Sequence, residues 1–210
     1  MSDGIAIGLD GRLKCWWCIG DALYEDYHDG EWGRPLHGDD ELFEKLCLDG
    51  LQAGLSWLVV LRKRASLRAA FHGFDPRAIA LFSDSDVERL LSDPGVIRNR
   101  AKIRSVIGNA RALLDMHAGG EALDGLVWSH TRPAGRRPVV RADVPAASPE
   151  SEALSRALKA RGFSFVGSTI VYAFMQAVGV VDDHVAGCIA AGDSAIAGRV
   201  TSRVTGPVID

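Results

Sequence analysis

The chain has 210 residues, 47% of them hydrophobic and 24% charged, and a formal net charge of −3. This composition suits one large domain or two small lobes and excludes global disorder. No run of eighteen apolar residues occurs and the first residues are acidic, so neither a membrane span nor a signal peptide is expected. Four cysteines without export signals read as reduced thiols or metal ligands in a cytoplasmic protein.

Charge is unevenly spread. Residues 1–61 hold 4 Lys/Arg against 12 Asp/Glu, residues 62–111 hold 11 against 5, and residues 112–210 hold 9 against 10. The central basic block is either a set of solvated helix faces or the footprint of a polyanion such as DNA.

Residues 1–14 carry no periodicity and three glycines, and are expected as a flexible leader. Asp21 can cap a short helix bearing Leu23, Tyr24, Tyr27 and His28. Residues 16–32 contain five of the fifteen aromatic side chains, enough for a wall against something flat or for a small core. Leu42, Phe43, Leu46 and Cys47 recur at helical spacing over 39–49, with Cys47 expected in the core. Leu48 to Trp57 then place an acid, an amide, two glycines and an indole within ten residues. That stretch is either a helix end and turn before a new helix capped by Ser56, or a grip for a flat heterocycle.

A helix over 57–71 carries Arg62, Lys63, Arg64 and Arg68 on its polar side. Asp75-Pro76 reads as an N-cap with proline at the first helical position, and Ser85 can open the next helix. A basic helix is expected over 98–117, and residues 120–147 read as loop. Ser148-Pro149 opens a helix stopped by Gly162, residues 166–178 read as a buried helix, and 191–210 form a tail. With no alternating strand pattern, the expected fold is all-α, with residues 15–190 as a single domain of two helical lobes.

Two constellations can carry chemistry. His184 and Cys188 lie four apart and can face one ion, as can Cys15 and His28 near the other terminus. Cys18 competes with Cys15, because Cys-x-x-Cys is itself a metal or redox spacing. Residues 91–103 (LSDPGVIRNRAKI) join two amphipathic segments through Pro-Gly inside the basic block. That pattern is an ordinary helical hairpin or a helix-hairpin-helix, whose turn N–H groups can meet a DNA phosphate.

The sequence resembles the bacterial 3-methyladenine DNA glycosylase I family. The matching stretches are YEDYHDGEWG (24–33), QAGLSW (52–57), IRNRAKIRSVIGNAR (97–111), LSRALKARGFSFVG (154–167) and DHVAGC (183–188). The resemblance implies a helix-hairpin-helix DNA glycosylase fold. It also implies one structural zinc ion on Cys15, His28, His184 and Cys188, joining the terminal segments, and it decides for Cys15 over Cys18. Four filled ligand positions would leave no place for a zinc-activated water.

The implied activity is monofunctional hydrolysis of the N-glycosidic bond of 3-methyladenine in double-stranded DNA by base flipping, by a protein expected as a monomer. Trp17, Tyr24, Trp32 and Trp57 would wall the base site, with Tyr27 and Asp49 hydrogen-bonding the base edge as the catalytic pair. Trp16 and Tyr24 read equally well as core. Leu55, beside Gly54, would fill the gap left by the flipped base. Gly95, Val96, Arg98, Arg100 and Lys102 would contact DNA. One position departs from the family pattern, which has Glu where this chain has Asp49; the shorter side chain retracts its oxygens by about 1.3–1.5 Å. Leu51 likewise replaces a polar residue. An alternative is therefore a relative that binds alkylated bases with weak or shifted excision.

Overall fold

The computed structural model describes residues 3–131 and 136–191. Among these the architecture is mostly helical: α1 (Ala22–Gly30), α2 (Asp39–Gln52), α3 (Trp57–Ala70), α4 (Pro76–Ala80), α5 (Asp84–Ser92), α6 (Arg100–Ala118), α7 (Leu123–Trp128), α8 (Pro149–Ala160) and α9 (Ser168–Ala177). Helix α2 is central, packing against α3, α6, α7 and α9, while α4 and α5 cover α6 and α8 covers α9. Leu42, Phe43 and Leu46 of α2 share one core with Ile103, Val106 and Leu113 of α6 and with Val171, Phe174 and Met175 of α9.

Local chemistry sets several boundaries. The Asp21 carboxylate accepts from the Tyr24 amide at the start of α1, and Asp75 accepts from Arg77 ahead of Pro76. Helix α5 begins after Ser83 rather than Ser85, because the Asp86 carboxylate accepts from both the Ser83 amide and the Ser83 hydroxyl at 2.9 Å. Ser56 precedes α3 in extended backbone but makes no capping hydrogen bond.

Two elements depart from the sequence reading. The all-α expectation is corrected by an antiparallel hairpin of β1 (Ile5–Ile7) and β2 (Leu13–Cys15), with Ile5 opposite Cys15, inside the segment read as a flexible leader. What fastens it is charge: the buried Lys14 ammonium lies 3.0 Å from Glu25, 2.8 Å from Asp29 and 3.1 Å from Asp10, which ties the hairpin to α1. Helix α7 lies within the stretch read as loop. Its first amides, Leu123 and Asp124, donate to the Asp39 carboxylate from the start of α2, a cap supplied by a residue more than eighty positions away. The tail from residue 192 onward lies outside the described residues.

The C-terminus of α2 is buried, and its last carbonyls need donors. Gly50 receives the Ala53 amide and Gln52 the Leu55 amide. The Lys102 ammonium, reaching across from α6, donates to the carbonyls of Leu51 (2.8 Å) and Ala53 (2.5 Å). Lys102 is 7% exposed. Lys102→Met is expected to lower the unfolding free energy by about 2–3 kcal/mol, the cost of stranding these acceptors. An unchanged urea midpoint would show that another donor serves them.

Candidate active site and metal centre

A cavity of about 240 Å³ opens where the C-terminus of α2 meets a short 3-10 turn at Trp16–Cys18, α1, the start of α3 and α9. All six residues expected at the base site line it: Trp17, Tyr24, Tyr27, Trp32, Asp49 and Trp57. Their rings form a tilted array, with centroids 5.1 Å apart for Trp17–Tyr24, 4.9 Å for Trp17–Trp32 and 5.3 Å for Tyr27–Trp57. Such an array presents π faces and edges to a flat guest. Trp16 also lines the cavity, as do Gln52, Gln176 and Asp183, to which the sequence reading gave no role. Asp183 accepts from the Tyr172 hydroxyl (2.6 Å) and from the Gln176 amide (2.8 Å). It lies inside the quoted DHVAGC stretch, the one signal that pointed to it.

Polar groups converge on the same space. Asp49 is buried, and neither its Oδ2 nor Trp57 Nε1 has a hydrogen-bond partner among the described residues. The Tyr27 hydroxyl accepts from Lys45 Nζ at 3.0 Å, and burial raises its pKa well above the usual phenol value, so it stays protonated. A cavity with aromatic walls, one free carboxylate oxygen and one phenol suits a flat heterocycle that presents a donor beside an acceptor.

Beyond the cavity mouth, Gly54 adopts φ +75° and turns the chain between α2 and α3, leaving Leu55 41% exposed at the tip. The hairpin between α5 and α6 is built as a tight turn: the Asp93 carboxylate accepts from the Gly95 amide (2.7 Å), and Val96 is buried beneath. Arg98 is exposed and has no ion-pair partner among the described residues. Arg100 is held by Glu88. Lys102, expected at DNA, is instead buried on the α2 carbonyls, because a helix end inside the fold competes for its ammonium more strongly than solvent does.

Behind the aromatic wall, Cys15, His28 and Cys188 each bring a ligand atom within 4.8 Å of the others, and all three are buried. The closeness of the two thiols holds the Cys15 thiol above its usual range and pulls the Cys188 thiol below it. Cys18 turns away and donates to the Cys15 carbonyl at 3.1 Å, its thiol pushed up to about 12 by burial. His184 is not part of the close trio, yet its Nε2 is buried without a partner. Both histidines hold a carboxylate on Nδ1, Asp29 at 2.8 Å for His28 and Asp182 at 3.0 Å for His184. That arrangement fixes the tautomer that leaves Nε2 free to ligate. Gly33, at φ +76°, is required beside this group, since a Cβ there would lie 2.5 Å from the His184 ring.

Residues 17–191 match the family model for methyladenine glycosylases. The chain belongs to the methyladenine glycosylase family. It is 51% identical over 177 residues to DNA-3-methyladenine glycosylase 1 of Escherichia coli (strain K12), covering 83% of this chain and 95% of that protein. A crystal structure of 3-methyladenine DNA glycosylase I superposes with a TM-score of 0.82 at 50% identity, over 84% of this chain and 98% of the other. The enzyme from Staphylococcus aureus, whose structure describes recognition of 3-methyladenine, superposes with a TM-score of 0.79 at 30% identity, over 83% and 95%.

Within this family frame, Asp49 has a measurable electrostatic signature. Burial pushes its carboxyl from the ordinary 3.8 up to about 6, against the attraction of Lys45. A folded-state value raised above the unfolded one favours folding at low pH. The group adds no penalty below pH 4, where it is neutral in both states. Stability is lost as pH rises through 6, reaching about 3 kcal/mol once the carboxylate is ionised in both states. Asp49→Asn is therefore expected to be more stable than the native chain above pH 6, with the advantage vanishing below pH 4 in urea titrations. Binding of an adenine-like base has the opposite sense, since only the ionised carboxylate is a full acceptor, so affinity should fall as pH drops through 6. A stability difference that does not change between pH 4 and 7 would contradict this account.

Proposed function

We propose that the chain is a DNA-3-methyladenine glycosylase that flips alkylated adenine out of the duplex and hydrolyses its N-glycosidic bond, leaving an abasic site. The observation that carries this reading is the free Asp49 oxygen beside the Tyr27 hydroxyl in a cavity walled by Trp17, Trp32 and Trp57. The family membership and the names of its relatives support it.

The chemistry suits these residues. Adenine methylated at N3 is cationic within DNA, so it departs with the glycosidic electron pair as a neutral base and needs no proton from the protein. Water supplies the oxygen that bonds to C1′ and releases a proton. The pocket's task is selection: π faces hold the electron-poor ring, and Asp49 accepts a hydrogen bond from the exocyclic amine. Leu55, at the exposed tip beside Gly54, enters the gap left in the base stack. The hairpin amides beyond Gly95 and Val96 and the exposed Arg98 face the phosphates, with Arg100 available once it leaves Glu88. The protein acts as a single domain over residues 15–190, as a monomer on double-stranded DNA in the cytoplasm. No helix of the described residues is long and apolar enough to cross a membrane.

Zinc is the metal this donor set fits. Two thiols, two imidazoles with carboxylates behind them and a stranded His184 Nε2 make a Cys₂His₂ set, with Cys15, His28, His184 and Cys188 as ligands. The ion supplies a tetrahedral cross-link between the two ends of the domain.

Two experiments test these assignments. Purified protein is expected to carry one zinc per chain, and Cys188→Ser to lose it together with several degrees of Tm; a variant that keeps both would remove zinc from the fold. Incubation with methylated DNA is expected to release 3-methyladenine on chromatography. Under single-turnover conditions Asp49→Glu should speed that release if the shorter side chain limits recognition, whereas release of no base by the native chain would leave a binder.

A further inference from the structure

Lys45 belongs to none of the motifs above, yet it lies directly behind three side chains that line the cavity, Tyr27, Asp49 and Trp57. Its Nζ is 3.0 Å from the Tyr27 hydroxyl, 3.6 Å from Asp49 Oδ2 and 3.6 Å from the centroid of the Trp57 ring. On its outer side lies a second, smaller cleft lined by Glu31, Glu44, Arg64 and Arg68. There the charges are already matched, Arg64 with Glu31 and Arg68 with Glu44. Within the pocket, Asp183 is engaged by Tyr172 and Gln176. Asp49 Oδ2, which faces Lys45, by contrast has no hydrogen-bond partner among the described residues.

We propose that Lys45 is a positioning residue that sets the donor–acceptor polarity of the base pocket and so makes it read an adenine edge rather than a guanine edge. An ammonium can only donate, so the Tyr27 oxygen is fixed as an acceptor on that side and its own proton must point elsewhere, toward the cavity. The same positive charge keeps Asp49 an acceptor by opposing protonation. The floor then offers one acceptor and one donor side by side. An adenine edge matches them with its amine and neighbouring ring nitrogen. A guanine edge, with a carbonyl and a ring N–H, would set oxygen against carboxylate. This inference rests on the glycosylase reading.

The test uses Lys45→Met, which keeps an unbranched side chain in the same space, and Lys45→Arg, which keeps the charge. Binding of free 3-methyladenine is followed by tryptophan fluorescence from pH 5 to 9, and methylated DNA is assayed for both 3-methyladenine and 3-methylguanine. In Lys45→Met the acid limb of base binding is expected to move up by about one pH unit or more. The ratio of 3-methyladenine to 3-methylguanine released is expected to fall several-fold, and Lys45→Arg should stay near the native values in both assays. An unchanged limb and ratio in Lys45→Met would overturn the proposal, as would equal losses in both variants, which would mark packing rather than charge. If the native chain binds the base but releases none, the glycosylase reading fails, while the shift of the limb still reports on Lys45.

Discussion

A helix that ends inside a protein must find donors for its last carbonyls, and in this chain that requirement organises the site. Helix α2 runs through the core and finishes at the pocket, so its C-terminus cannot be left to water. Lys102 crosses from α6 to supply the missing donor for Leu51 and Ala53. The contact fixes where α2 stops and therefore where Asp49 points. It also fixes the start of the turn through Gly54 that exposes Leu55. A residue from the basic block, which composition alone reads as solvated helix faces or a polyanion footprint, thus serves the backbone instead.

The pocket wall and the cysteine–histidine group are two sides of one layer. Trp32 packs edge-on against His184 at 4.6 Å and lies parallel to His28, and Trp17 meets His28 at 5.3 Å. Fixing the imidazoles therefore fixes the indoles. The hairpin that delivers Cys15 is held by the buried Lys14 cluster, and Asp29 serves both Lys14 and His28. A chain of contacts runs from the first strand, through the histidines, to the rings that would face a base. Side chains behind the wall can in this way control recognition without touching the guest.

Much of this was legible in the sequence, for identifiable reasons. The long amphipathic helices announce themselves because burial of one face imposes a period, and Asp21, Asp75 and Ser148 mark their starts by local capping. Four of the six pocket side chains, Tyr24, Tyr27, Trp32 and Trp57, sit in the quoted family motifs, while Trp17 and Asp49 lie outside them and were legible only through the resemblance as a whole. What was not legible depends on distant partners. Strands of three residues are too short to show alternation, and theirs are anchored by a buried ion cluster that looks like surface charge in one dimension. Helix α7 takes its cap from Asp39, and Lys102 reads as a phosphate contact until the buried end of α2 is placed beside it. Lys45, one residue in an ordinary helix face, has Asp49 one turn along the same helix and gains its meaning from Tyr27 of α1 and Trp57 of α3 meeting it there.

The pairing of Lys45 with Asp49 is difficult to explain as a device for stability. A buried ion pair usually does no better than apolar side chains of the same volume, because desolvating two charges cancels most of their attraction. Here the separation of 3.6 Å is longer than a hydrogen bond, and both groups are shifted toward their neutral forms, Lys45 downward and Asp49 upward, with burial the leading cause in each. A fold selected for stability alone would place Met or Leu at both positions. The penalty is intelligible if the carboxylate must remain an acceptor in a dry cavity and the phenol must remain a donor. The shorter Asp49 side chain fits the same logic: it leaves Oδ2 close enough to feel the ammonium and too far to be neutralised by a direct hydrogen bond. Its lone pair therefore stays free for a guest.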